Sequence, residues 1–338
     1  MSDTLSNTTS DTTGSGGQTL RVGAVDCGTN SIRLLVADVD PGTGALTDVL
    51  RRMEIVRLGH GVDRTGVIAP ESMERTLAVT REYAAACREL GASRVRFVAT
   101  SASRDARNAA DFIEGVRAAF AEHFGSEVSP EVVSGDEEAA LSFAGATGGL
   151  AAQGVSGPFL VVDLGGGSTE LVRGTDHVEA ARSVDIGCVR MTERHLVSDP
   201  ATDDEIGAAT RDIDAALDVA ESVVPLEGVA TLVGLAGSVT TITAHLLRLP
   251  AYDPDRVHLA RSAPADMVVA CDELLAMPRV QRAELPYMHP GRVDVIGAGA
   301  LVWRRVVERV VDRAGVTEVI TSEHDILDGI ALSAARRS

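Results

Sequence analysis

Apolar positions along this chain fall into short runs and helical repeats, in an order that occurs twice. The first half opens with three β-type runs, 20–26, 31–39 and 45–57, joined by short turns containing Gly or Pro. A helical repeat follows from Pro70 to Leu90, with proline at its start, where the missing N–H does no harm. Val95–Thr100 reads as a buried strand, Arg104–Phe124 as a second helix, Glu131–Val133 as a short strand and Asp136–Ala146 as a third helix. Ser134 is placed to cap that helix, with Glu137 as the reciprocal partner of a capping box. Gly148–Pro158 is small and polar and reads as the passage to a second half. There the order restarts, with strands at 159–163, 168–174 and 177–185, an amphipathic helix at 203–223 and a strand at Thr231–Leu235. Helices at 238–247, 263–276 and 292–313, a strand at Val316–Ile320 and a helix at 324–336 complete it. Two halves that each open with a three-stranded meander and then alternate helix and strand predict a duplicated α/β architecture. Hairpin-linked strands pair antiparallel and the later ones parallel, so each sheet should be mixed and flanked by helices. The expected domains are 20–146 and 147–338 after a disordered tail at 1–19, which has no apolar stretch and no basic start.

Composition narrows the chemistry. The 338 residues are 45% hydrophobic but only 3% aromatic, so the cores must be built from Ala, Val, Leu and Ile. A formal charge of −18 argues against a nucleic-acid or anionic-membrane binder, so a polyanionic substrate must be met by a local patch. All 31 basic residues are arginine. Without lysine there is no Walker-type phosphate loop and no Schiff-base chemistry; phosphate contacts must come from backbone N–H groups, arginine and metal. Cys27, Cys87, Cys188 and Cys271 have no metal or redox spacing and read as reduced thiols of a cytoplasmic protein, with Cys27 a small core residue. The eight histidines show no ligand spacing, His324 reads as a helix cap, and there is no Gly-x-Ser-x-Gly nucleophile elbow.

Two stretches read as one turn used twice. Asp26-Cys27-Gly28-Thr29-Asn30-Ser31 follows the apolar run Val22–Val25, and Asp163-Leu164-Gly165-Gly166-Gly167-Ser168 follows Phe159–Val162. Glycines after a strand let backbone N–H groups approach an anion, and Ser and Thr hydroxyls add donors. The Asp is the informative residue. A carboxylate about 4 Å from a phosphate oxygen is repelled by roughly 1 kcal/mol in water and about 4 at a protein-surface dielectric. A hard divalent ion bound by one or two carboxylates, water and phosphate removes that conflict. Two such turns can grip one phosphate chain from both sides with a metal between them.

Six motifs in order resemble the exopolyphosphatase/guanosine pentaphosphate phosphohydrolase family of the actin–hexokinase–heat-shock-chaperone superfamily, over about residues 20 to 335. They are Ala24–Ser31, Thr100–Ala106, Val133–Ala139, Val162–Leu171, Gly234–Thr240 and Ser322–Leu327. The resemblance implies two actin-like (ribonuclease H-like) domains with an active site in the interdomain cleft, in a short, two-domain form of the family. It makes Glu138, the second Glu of Ser-Gly-Asp-Glu-Glu-Ala, the general base, with Asp136 and Glu137 serving the cap and helix start. It makes Asp163 and Glu170 the metal ligands, with Asp26 completing the site or orienting water; Glu170 as an outward strand residue stays open. It supports phosphate binding by Arg104 and, more weakly, by Arg33, either of which could instead be a surface arginine. Gly28, Thr29, Asn30 and Ser31 of the first turn and Gly165, Gly166, Gly167 and Ser168 of the second are the expected phosphate cradle. Gly237 and Ser238 offer N–H groups at a helix start, for phosphate or for nothing.

The expected activity is removal of the terminal phosphate of inorganic polyphosphate by water, assisted by Mg²⁺, with Mn²⁺ and a monovalent cation as further options. Guanosine pentaphosphate is the nearest alternative substrate, with guanosine tetraphosphate as a further partner option, and a homodimer is the expected assembly. A sugar or acetate kinase of the same superfamily is the second class, though such kinases use an Asp base where this chain has a Glu-Glu pair.

Overall fold

A computed structural model describes residues 19–125, 128–150 and 153–337; the tail expected at 1–19 lies outside them except for Thr19. In the first sheet, Leu20–Cys27 (β1), Ser31–Val39 (β2) and Leu46–Ile55 (β3) form the antiparallel meander. Arg94–Ala99 (β4) and Glu131–Val132 (β5) add parallel strands, giving the order β3-β2-β1-β4-β5. In the second sheet Phe159–Leu164 (β6), Thr169–Gly174 (β7) and Val178–Val184 (β8) repeat the meander. Thr231–Leu235 (β9) and Val319–Thr321 (β11) run parallel beyond β6, and Ala260–Ser262 (β10) pairs antiparallel at the edge. The order β10-β11-β9-β6-β7-β8 matches the first sheet apart from the added β10, so the duplication expected from the apolar pattern is present in the topology. β6 is buried along its whole length and β1 from Val22 onward, which is why both read as continuous apolar runs.

The helices are Val62–Thr65 (α1), Pro70–Glu89 (α2), Ser101–Asp105 (α3), Ala109–Phe124 (α4), Gly135–Thr147 (α5), Cys188–Arg194 (α6) and Asp203–Glu221 (α7). Ala236–Leu246 (α8), Pro254–Val257 (α9), Pro264–Ala276 (α10), Arg279–Ala283 (α11), Ile296–Ala314 (α12) and Ile326–Arg336 (α13) complete the set. α2 and α4 cover one face of the first sheet with Tyr83, Cys87, Phe112, Val116 and Phe120. α13 covers the other face, its Ile326, Leu327, Ile330 and Ala334 meeting Val22, Ala24, Leu35 and Val98. α5 lies instead on the second sheet, where Ala139 and Phe143 meet Val161, Val172 and Val233. Each sheet is thus covered by a helix that follows the last parallel strand of the other, and the two helices cross at glycines. A Cβ on Gly145 would stand 1.9 Å from the Asp325 carbonyl oxygen, and one on Gly329 2.0 Å from that of Leu141.

Several boundaries differ from the pattern-based reading. The helix expected over 104–124 is broken at Ala106, which is extended, because the Asn108 side chain pairs with both the N–H and the C=O of Ile68 (2.9 and 3.1 Å). Ser134 does cap α5, accepting from Glu137 N–H at 3.2 Å, but the Glu137 carboxylate bonds Arg96 at 2.5 Å and does not reach back, so the capping box is half formed. α13 starts at Ile326, capped by Asp325 with Asp328 as its reciprocal partner; His324 stacks against His258 instead, ring centroids 4.4 Å apart. The helix expected from 292 begins at Ile296 after a 3₁₀ turn at Pro290–Arg292. α1, α6, α9, α11 and β10 were not expected.

Candidate active site

The two glycine turns meet across a cleft between the sheets. Its walls include Asp26, Gly28, Thr29, Asn30, Ser31 and Arg33 from the first half, and Asp163, Gly165, Gly166 and Ser168 from the second. Glu138 at the start of α5 and Gly237 and Ser238 at the start of α8 complete the sequence-based set that lines it. The turns are in contact: a Cβ on Gly166 would come within 3.0 Å of Thr29 Cβ, and one on Gly167 within 2.6 Å of Thr29 Oγ1 and 2.5 Å of Ser101 Oγ. Glycine is required there by close approach. The second turn is pinned from behind by the N-terminus of α6. Cys188 N–H donates to Gly165 O (3.0 Å), Val189 and Arg190 N–H to Gly166 O (2.8 and 3.1 Å) and Gly187 N–H to Gly167 O (3.3 Å). In a trans peptide the carbonyl and the next N–H point in opposite directions. Pinning these three carbonyls to α6 therefore turns the N–H groups of Gly166, Gly167 and Ser168 away from it.

The matched hairpins carry different charges. Asp26 faces Arg33 across β1–β2, and Asp163 faces Glu170 across β6–β7, at the same register in the two copies. In the first hairpin Arg33 donates to Asp26 at 2.6 and 2.9 Å and also pairs with Asp325. Asp26, expected among the metal ligands, is occupied by that ion pair; Arg33, expected on phosphate, lines the cleft between two carboxylates. In the second hairpin neither acid forms an ion pair with an arginine among the described residues. Ser142 donates to Asp163 at 2.5 Å and Ser183 to Glu170 at 2.6 Å. Burial, then the charge of Glu170, pushes the Asp163 carboxyl up to about 8. Glu170 is also raised by burial and lies behind the cleft wall, not outward.

Glu138 is 7% exposed, and burial, then Glu170, raises its carboxyl well above the ordinary range against the pull of Arg104. Arg104 stands behind the wall: its Nη1 donates to Glu138 Oε2 and to Val133 O, both at 3.0 Å. The structure thus places Arg104 on the expected base, not on the cleft surface expected for a phosphate ligand. Gly167 too stands behind the lining, against Thr29 and Ser101.

Among the described residues no three His, Cys, Asp or Glu side chains are arranged as they stand to hold a metal ion. The donor set still fits a hard dication that takes one or two protein carboxylates and completes its shell with water and phosphate. Asp163 and Glu170 are such a pair, braced by serines and mutually repelled. Arg292 was missed by sequence reasoning. It lines the cleft and donates to Thr241 Oγ1 at 2.9 Å, and its guanidinium occupies the space a Cβ on Gly237 would need, 2.4 Å away. It makes no ion pair among the described residues, and an arginine in a 3₁₀ turn carries no sequence signal. Ala236, also in the lining, holds φ 68°, a strained conformation for a residue with a Cβ, at the entry to α8.

The sequence profile of the Ppx/GppA phosphatase family matches residues 35–334. The chain belongs to that family. It is 51% identical over 320 residues to exopolyphosphatase 2 of Mycobacterium tuberculosis, covering 93% of this chain and 98% of that protein. A crystal structure of an exopolyphosphatase-like protein superposes with a TM-score of 0.89 at 41% identity, covering 94% of this chain and 98% of the other. The PPX-GPPA enzyme of Aquifex aeolicus superposes at 0.75 with 29% identity, covering 94% of this chain and 100% of that one. The fold is that of these two-domain, actin-like phosphatases, each domain a mixed sheet flanked by helices. Among the described residues no helix is long and apolar enough to cross a membrane.

Proposed function

We propose that this phosphatase-family protein hydrolyses the terminal phosphoanhydride bond of inorganic polyphosphate to release orthophosphate. The observation that carries the reading is Glu138, a buried carboxylate with raised proton affinity on the wall of a cleft whose other walls include the two glycine turns. The likeness to a protein named exopolyphosphatase 2 supports the substrate class. Asp163 and Glu170 would hold Mg²⁺, which when bound neutralises charge on the transferring group. The terminal phosphate sits between the N–H groups of the two turns. Glu138 takes a proton from an attacking water in line with the bond that breaks, and Arg104 fixes the direction of its Oε2. Arg292 and the start of α8 receive the phosphate next along the chain. Phosphoryl transfer needs mainly such positioning and charge stabilisation.

Guanosine pentaphosphate hydrolysis is a second reading. It draws on a neighbouring cavity that shares Arg33, Gly237 and Arg292 with the cleft and adds Met53, Tyr252, Pro254 and Leu327, apolar contacts suited to a base, beside the charged Arg51, Arg52 and Glu323. Phosphate release from polyphosphates of graded length, beside guanosine pentaphosphate and ATP, with Mg²⁺ and chelator controls, tests both. Release from polyphosphate well above the other two, abolished by chelator, is expected. Comparable rates on all three would sink the polyphosphate assignment, and turnover only with an added acceptor would mark a kinase.

A further inference from the structure

We propose that Arg190 is a positioning residue: it clamps the glycine turn at Gly165–Ser168 against the first half of the molecule and so sets the geometry of the turn's phosphate donors. This rests on the phosphate-cleaving reading of the same cleft. Arg190 lies in α6, and its side chain is only 11% exposed. Its Nε donates to the Gly167 carbonyl at 2.7 Å, while its two terminal nitrogens pair with Asp63 and Asp105. Asp63 belongs to α1 and Asp105 to α3, both in the first half. One side chain therefore bonds the tip of the turn and two elements of the other half, behind the cleft.

The tip is where such a bond matters. Of the carbonyls that α6 pins, Gly167 has the longest backbone bond, 3.3 Å from Gly187 N–H. The Arg190 Nε bond is the second hold on that peptide, whose other end is the Ser168 N–H. Gly167 also lies against Thr29 and Ser101 of the first half with no room for a Cβ, so its position depends on how the two halves are held together. Neighbouring contacts support the same junction: Arg194 bonds Asp63 twice at 3.0 Å, and the Gly61 N–H donates to Glu193 at 3.1 Å. A guanidinium serves three acceptors in one plane; an ammonium is a point charge and does not.

The test compares Arg190→Met, Arg190→Lys and the milder Asp105→Asn, which leaves the Gly167 bond intact. Phosphate release from tripolyphosphate is measured to give KM and kcat separately, with the pH of half-maximal kcat. Hydrogen exchange of a peptide spanning 164–169 is followed in parallel. Arg190→Met is expected to raise KM about tenfold or more and to speed exchange of the turn. The acid limb of kcat should stay in place, because Glu138 and Asp163 are untouched. Arg190→Lys should recover part of the loss, and Asp105→Asn should act less than additively with Arg190→Met. If Arg190→Met leaves both KM and turn exchange as in the wild type and lowers only the melting temperature, the residue is a plain interdomain ion pair and the proposal is wrong. Failure of the wild type to cleave polyphosphate would defeat the function reading alone; the exchange measurement would still judge the clamp.

Discussion

The Glu138 carboxyl accepts from Arg104 and is raised by burial and by the nearby Glu170 and Asp163, and its chemistry follows from that balance. Glu138→Gln keeps the shape and removes the base, so kcat for phosphate release should fall by roughly 10²–10⁴ with KM little changed. A loss in KM alone would mean the residue binds and does not activate water. Because its carboxyl is raised above the ordinary range, activity should disappear on acidification at a pH well above 4.5, the ordinary value for Glu, read from a kcat–pH profile. Asp163 makes a separate prediction about stability. Its carboxyl is raised from 3.8 to about 8, so the folded state holds that proton more tightly than the unfolded chain. Its contribution to stability is full below about 4 and is lost as pH rises toward about 8. A dication takes the deprotonated form, so Mg²⁺ should raise the melting temperature more at about pH 8.5 than at about pH 6; the reverse order would remove Asp163 from the metal site. The two matched hairpins, each a strand, a glycine turn and a second strand, were legible in the sequence; that Asp26 faces Arg33 and Asp163 faces Glu170 came from the register of the strands. The ion pair between Arg33 and Asp325 was not, because nothing local links positions 292 residues apart.

The strands and turns that build the cleft were readable because each is a buried apolar run closed by glycine, a signal set by local physics. α6 was not. It has seven residues and no cap from a side chain, and what holds it is the set of N–H groups given to the carbonyls of the second turn. Arg292 escaped for a similar reason, since its role comes from where a 3₁₀ turn sets it beside Gly237. The crossing of α5 and α13 is the element-scale contact most open to test. Gly145→Ala and Gly329→Ala each push a methyl against backbone of the other helix, so each should destabilise the protein by about 1–3 kcal/mol or more. Urea unfolding measures this; a change within about 0.5 kcal/mol would show that the helices are free to move apart.

At the scale of the whole molecule the duplication was legible and the exchange of helices was not. An amphipathic repeat says that a helix has a buried face, but not which sheet receives it. α5 and α13 each lie on the sheet of the other half, so the base at the start of α5 is carried on the second sheet while its partner Arg104 stands on the first half. The proposed base, both turns and Arg292 are therefore drawn from both halves onto one cleft. In the proposed reaction water, activated by Glu138, attacks the terminal phosphorus held there. The most direct measurement is phosphate release from polyphosphate with Mg²⁺ in ¹⁸O-labelled water, with the oxygen label traced in both products. One labelled oxygen is expected in the released orthophosphate and none in the shortened chain, with loss of the reaction in Glu138→Gln. Label in the shortened chain, or release at the wild-type rate by Glu138→Gln, would contradict it.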